Sequence, residues 1–278
     1  GAYWITGGLG ALGLEMAKWL SRSGARQLVL FGRSSPNGEA EEVLADLRRD
    51  GVQTTIVLAD VGNRESLQQS VAKLPSLLAR PIGVFHVAGV LDDGVLAQQN
   101  RERFEKVLRA KVDGGWNLHE VTLDAPLDHF VLFSSVASLF GSPGQANYAA
   151  GNAFLDGLAS YRRSMGLPAL SVNWGPWAEV GMAARLGEEK LSARGIAPMN
   201  PRQAIEILEK LLETSASQVT VADVDWPTML GLYPDGPPAI FSKLAGEVSK
   251  RGSGDRELRQ RVLDTPPEER LDMLHSCF

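Results

Sequence analysis

Apolar runs of strand length alternate with amphipathic stretches along most of this chain of 278 residues. Tyr3-Trp4-Ile5 opens the series as a short strand and runs at once into Thr6-Gly7-Gly8-Leu9-Gly10-Ala11-Leu12-Gly13, a glycine-rich turn. The pattern predicts a helix over 14–23 stopped by Gly24, and further strands over 27–31, 52–59, 82–87, 130–133, 169–173 and 218–222. Helices are predicted over 39–50 with Gly51 past its end, 63–74 capped by Asn63, and 101 to about 121 capped by Asn100. Two more follow, one over 146–165 and one opened by Asn200-Pro201. Strands and helices alternating in this way imply a parallel sheet of about seven strands with helices on both faces.

Composition narrows the class. Apolar residues make up 44% and charged residues 22% of the chain, ordinary for a packed globular protein rather than a disordered one. No apolar run approaches the roughly 20 residues of a bilayer span. The first residues carry no basic leader stretch, so a cytoplasmic location without a membrane partner is expected. Cys277 is the single cysteine and the four histidines are scattered, so neither a disulfide nor a metal site is expected. A net charge of −5 argues against nucleic acid, whose phosphates select basic surfaces. From Gly246 the texture changes: Lys250-Arg251-Gly252-Ser253-Gly254 reads as a linker, and 257–263 and 267–274 as short charged helices. Residues 1–245 are therefore expected to form one domain, and 246–278 a connection.

Gly8-Leu9-Gly10-Ala11-Leu12-Gly13 satisfies G-x-G-x-x-G between a predicted strand and a predicted helix, the context that gives this motif meaning. Glycines let the backbone turn tightly and approach a pyrophosphate, while the helix start presents free N–H groups. Thr6, Gly7, Gly8, Leu9, Gly10 and Gly13 are thus candidates for the dinucleotide cradle of a doubly wound, Rossmann-type α/β sheet. After the second strand comes Gly32-Arg33-Ser34-Ser35, with no acid before Glu39. An NAD site wants a carboxylate there for the ribose 2′-hydroxyl, whereas Arg33 beside Ser34 suits a 2′-phosphate, so NADPH is expected. Asp60-Val61 is placed for the adenine edge and Ala88-Gly89 for the adenosine ribose, each at a strand's carboxyl end.

Ser135 ends the fifth strand, and Tyr148 follows thirteen residues later, early in the next helix. A tyrosine there can hand its proton to a carbonyl that receives hydride. A free phenol titrates near 10, and drawing it down by three units takes about 4 kcal/mol, which calls for a nearby cation. One helical turn on stands Asn152, an amide, so the cation must come from another element. Lys106 and Lys111 on the preceding helix are the candidates, and spacing does not choose between them.

The glycine loop, the Ser135/Tyr148/Asn152 set and Asn173-Trp174-Gly175-Pro176-Trp177 together resemble the ketoreductase domain of a modular type I polyketide synthase. These domains form a branch of the short-chain dehydrogenase/reductase superfamily, and the resemblance runs from residue 1 to about 230. It implies that Lys111, in Ala110-Lys111-Val112-Asp113-Gly114, supplies the cation that lowers the Tyr148 pKa and holds the nicotinamide ribose. Tyr148 would be the acid, Ser135 would bind the substrate carbonyl and Asn152 would support the site. Gly175 would join the cofactor residues. Asp93, Gln145, Trp174 and Met182 would meet substrate, the last in a lid over about 178–200. Leu91-Asp92-Asp93 resembles the fingerprint of B-type members, which give the D (3R) alcohol. Phe140 stands where A-type members carry tryptophan, and Ala150 where epimerising relatives carry proline.

The implied activity is NADPH-dependent reduction of a β-keto group on a chain tethered to an acyl carrier protein. Implied partners are that carrier protein with its phosphopantetheine-linked substrate, a structural subdomain of the same reductase, and other synthase domains. Whether an enoylreductase precedes this stretch stays open, and 246–278 would lead toward a carrier domain. Two other readings stand beside it: a stand-alone short-chain reductase of a free ketone, and a catalytically silent structural domain.

Overall fold

The computed structural model describes residues 1–178, 194–248 and 266. The expected linker, its charged helices and most of the expected lid, Met182 included, lie outside the described residues. The chain divides into two compact units, 1–188 with 198–223, and 189–197 with 224–278.

The first unit begins with β1 (Ala2–Thr6), α1 (Ala11–Arg22), β2 (Gln27–Gly32), α2 (Gly38–Arg49) and β3 (Gln53–Leu58). It continues through α3 (Arg64–Ala72), α4 (Ser76–Ala79), β4 (Pro81–His86), α5 (Arg101–Leu108), α6 (Gly114–Val121) and β5 (His129–Ser135). Then come α7 (Ala137–Phe140), α8 (Ala146–Ser164), β6 (Leu170–Trp174), α9 (Pro201–Leu212) and β7 (Gln218–Val221). Seven strands make one parallel sheet in the order β3-β2-β1-β4-β5-β6-β7. The strand order reverses between β1 and β4, and open sheets of this kind bind ligands outside the carboxyl ends at that point.

Two cores cover the two faces, because alternate residues of a strand point to opposite sides. Ile5, Leu28, Leu30, Val131 and Phe133 face α1, α2 and α9, whose Met16, Leu44 and Ile205 complete that layer. Trp4, Val29, Phe31, Phe130 and Leu132 face α3, α6 and α8, with Leu67, Leu118 and Leu155 opposite. Both faces are buried, so these strands read as continuous apolar runs. The expected caps form: Asn63, Asn100 and Asn200 accept from the backbone N–H of Ser66, Arg103 and Arg202 at 2.9, 3.0 and 2.9 Å.

The single long helix expected over 101–121 is three pieces. A π-helical turn, Arg109–Asp113, separates α5 from α6. Such a turn lodges one extra residue and often marks a functional site. Here it buries Lys111, only 3% exposed, which a continuous amphipathic reading had left on an ordinary helix.

The glycine loop is tight for a steric reason. A Cβ on Gly13 would lie 2.2 Å from the carbonyl oxygen of Gly7, and Gly7 itself has φ +64°. Gly13→Ala therefore has to displace the loop, and is expected to cost about 1–3 kcal/mol by denaturant titration. An unshifted midpoint would show that the loop yields freely.

In the second unit, Asp225 caps α10 (Trp226–Gly231), and the rings of Trp226 and Tyr233 lie 6.0 and 6.1 Å from Phe241. Among the described residues no helix is long and apolar enough to cross a membrane, and no cluster of side chains is suited to hold a metal ion.

Candidate active site

The loop from Thr6 to Gly13 closes over the carboxyl end of β1. Gly8 N–H donates to Phe31 O at 3.1 Å and Gly10 N–H to Gly7 O at 3.0 Å. Thr6 is buried, and its hydroxyl lies 2.7 Å from Nδ1 of His86 at the end of β4. Burial holds His86 down to about 3, so its ring stays neutral and works as a tie between the two strands. Leu9 packs over Gly32, where a Cβ would meet its Cδ1 at 2.8 Å. A cleft opens beside the loop, lined by Gly7, Arg33, Asp60, Val61, Ala88 and Gly89, together with Lys106 and Arg109. Arg33 and Ser34 are exposed just past β2. Asp60 is already engaged: Arg109 reaches its Oδ2 at 2.9 Å and Gly62 N–H donates to its Oδ1 at 3.0 Å. Gly175 lies past the end of β6, its N–H bound to Val221 O at 2.7 Å.

The carboxyl end of β5 and the first turns of α8 gather the remaining candidates. Tyr148 and Asn152 stand one turn apart on α8, and Asn152 Nδ2 donates to the Tyr148 carbonyl at 2.9 Å. The Asn152 side chain is fully buried and its Oδ1 has no hydrogen-bond partner. Lys111 turns inward from the π turn: its Nζ donates to Phe133 O at 2.6 Å and stands 6.0 Å from the centre of the Tyr148 ring. Gly151 makes this approach possible, since a Cβ there would lie 3.2 Å from Lys111 Cβ. Lys106, the other candidate cation, reaches Asp92 Oδ2 at 2.8 Å instead.

The electrostatics differ from the expectation. Burial pushes the Tyr148 phenol above its ordinary value, Asn152 and Ser135 beside it draw it down, and Asp93 adds to the rise. Burial wins, and the Lys111 amine is engaged by the Phe133 carbonyl. The phenol therefore keeps its proton through the neutral range, the form a general acid needs. Burial also holds Lys111 down to about 8, against an opposing pull from Asp156.

The 91–94 loop is cross-linked to α5 and α8. Asp92 accepts from Arg103 and Lys106 at 2.6 and 2.8 Å, contacts that hold its carboxyl below the usual carboxylate range. Asn147 Nδ2 donates to Asp92 O at 2.9 Å. Exposed Asp93 accepts from Gln145 Nε2 at 3.0 Å. Trp174 is elsewhere than a substrate residue would be. It is 5% exposed, in the core shared with α1 and α9, with its ring 5.7 Å from Phe133 and 5.2 Å from Trp177. It shares a face of β6 with Val172, two residues earlier, and period-two alternation turns both into that core.

Sequence reasoning missed His86, Arg109 and Asp156. Each is a polar group at a strand or helix position that reads as ordinary until the fold supplies its partner. Only for His86, at the carboxyl end of a buried apolar strand, was there a signal to follow.

A glycine loop, a buried amine and a phenol meeting at the carboxyl edge of a doubly wound sheet define a nucleotide-binding domain of dehydrogenase/reductase type. A family profile described as KR domain matches residues 1–179, and the chain belongs to that family, the ketoreductase domains of polyketide synthases. Among curated relatives, "Phenolphthiocerol synthesis polyketide synthase type I Pks15/1" of Mycobacterium marinum is 44% identical over 89% of this chain. "Polyketide synthase GfsE" of Streptomyces halstedii is 40% identical over 95%. The chain spans 12% and 7% of those two proteins. The solved "Structure of A-type Ketoreductases from Modular Polyketide Synthase" is 40% identical, with a TM-score of 0.83 over 90% of this chain and 53% of that one. "The first ketoreductase of the tylosin PKS" is 44% identical, with a TM-score of 0.76 over 84% of this chain and 51% of that one.

Proposed function

We propose that this domain reduces the β-keto group of an acyl chain, carried as a thioester on an acyl carrier protein, with NADPH as reductant. The observation that carries the reading is the inward-turned Lys111 amine over the Tyr148 ring, with Ser135 at the adjoining strand end. The residues beside the cleft fit the cofactor. Bare glycine backbone allows close approach of a pyrophosphate, and Arg33 stands at the end of β2, where an added 2′-phosphate would fall. When bound, the nicotinamide supplies the hydride. Tyr148 gives its phenolic proton to the carbonyl oxygen, and Ser135 donates a hydrogen bond to that oxygen. Lys111 favours the phenolate that is left and holds the nicotinamide ribose, with Asn152 supporting the pair.

The D (3R) outcome rests on Leu91-Asp92-Asp93, with Asp93 braced by Gln145 to guide the side on which the pantetheine arm enters. A structural subdomain of the same reductase and further synthase domains are proposed partners, in a cytoplasmic assembly. Residues 1–245 are proposed as the catalytic unit and 246–278 as the run toward a carrier domain.

The test is NADPH consumption with a β-ketoacyl thioester, followed by chiral analysis of the alcohol. A D alcohol is expected; an L alcohol would overturn the stereochemical assignment, and no consumption by protein that binds NADPH would overturn the activity. Arg33→Ala is expected to raise the KM for NADPH roughly 10–100-fold, the worth of one charge-assisted hydrogen bond set, and to leave that for NADH within about twofold. Equal losses with both cofactors would remove Arg33 from phosphate recognition.

A further inference from the structure

Asp156 is a buried carboxylate that the reading above does not use. It lies on α8, one turn beyond Asn152 and two beyond Tyr148, and is 8% exposed. Its Oδ1 accepts from Ser171 Oγ at 2.6 Å, and its Oδ2 from Asn173 Nδ2 at 2.8 Å and Ser138 Oγ at 2.9 Å. Among the described residues no ion pair reaches it. A buried carboxylate held by neutral donors alone is costly unless its charge serves something.

The donors lead back to the site. Ser138 Oγ also lies 2.8 Å from the carbonyl oxygen of Ser135, and Asn173 Nδ2 lies 3.0 Å from Ser134 Oγ. Ser134 in turn donates to the Asn152 carbonyl at 3.2 Å, and Gln218 fixes the Asn173 amide through its Oδ1 at 3.0 Å. The carboxylate thus holds the end of β5 against α8 from behind Ser135.

The second lead is Lys111, a buried amine with one carbonyl partner on β5. Charged and titratable groups around it are few. His86 on β4 is neutral, and Tyr148 on α8 keeps its proton. Lys106 on α5 is engaged by Asp92, and His119 on α6 faces Arg162 at 3.0 Å. Arg109 and Asp113 belong to its own turn. Asp156 is the group that favours its charged form.

We infer that Asp156 is a positioning residue of the reductase: it fixes the end of β5, which carries Ser135 and the Phe133 carbonyl that takes the Lys111 amine. This rests on the proposed roles of Tyr148 and Lys111. The test compares Asp156→Asn, Asp156→Ser and Ser171→Ala in the full-length protein, using the pH profile of kcat with NADPH and a β-ketoacyl thioester. Removing the carboxylate makes the amine lose its proton sooner, so the alkaline limb should move down by about one pH unit. That is roughly a tenfold loss of kcat on the limb, with the KM for NADPH within about twofold. Ser171→Ala removes a hydrogen bond to the same carboxylate while keeping the charge, and should leave the limb where it was.

An unmoved limb in whichever Asp156 variant folds overturns the inference, as does an equal shift in Ser171→Ala. If neither Asp156 variant folds, as read by thermal melting, the residue is structural and the inference falls. A wild-type protein that binds NADPH but reduces nothing sinks the proposed function and this inference with it; an active wild type with unmoved limbs sinks the inference alone.

Discussion

Tyr148→Phe is expected to lower kcat for thioester reduction about 10²–10⁴-fold, the range that one positioned proton donor contributes. The substitution keeps the ring beneath the Lys111 amine, 6.0 Å from its centre, and removes only the hydroxyl. Packing is therefore retained, and the melting temperature and the KM for NADPH should hold close to wild type. Stopped-assay NADPH consumption at neutral pH reads the effect. A variant that keeps more than a tenth of the wild-type rate would take the acid role away from Tyr148.

Lys111→Met is expected to separate activity from stability. The amine is buried and its charge is costly, so a methionine of similar length should leave the melting temperature unchanged or higher. Reduction should fall about 10²–10³-fold, the loss seen when one preorganised charge is removed from a reacting centre. Activity of the wild type should decline as pH rises through about 8, where the amine loses its proton, and the variant should lack that limb. The stability sign follows from the same displacement. Burial lowers the amine from 10.5 to about 8, so folding disfavours its charge, and the penalty is fully present below 8. It is relieved between about 8 and 10.5, so the melting-temperature gap between variant and wild type should close over that window. A gap that widened there would mean that the ammonium is stabilised by the fold.

Much of this was legible along the chain because the signals were local. Each strand was a continuous apolar run, and Asn63, Asn100 and Asn200 are caps whose partner lies two or three residues away. The glycine loop announces itself because Gly13 has no room for a side chain. What stayed hidden needed distant partners. Lys106 and Lys111 are five residues apart on one amphipathic stretch, and only the π turn sends the second inward while the first pairs with Asp92. The family resemblance implied a substrate role for Trp174, and β6, apolar on both faces, carries no alternation to show which side that ring takes. Asp156 carries no local signal on its helix of small residues, and its three donors come from β6 and the turn after β5. The direction of the phenol's shift was misjudged for a related reason, since sequence counts charges but does not measure burial.

The contact at Gly151 has a consequence for how catalytic precision is kept. Lys111 and α8 meet with no side chain between them, so how closely its turn and that helix approach is set at the main chain. A methyl group added at that one point would push α8 and the turn that carries Lys111 apart while touching neither the amine nor the phenol.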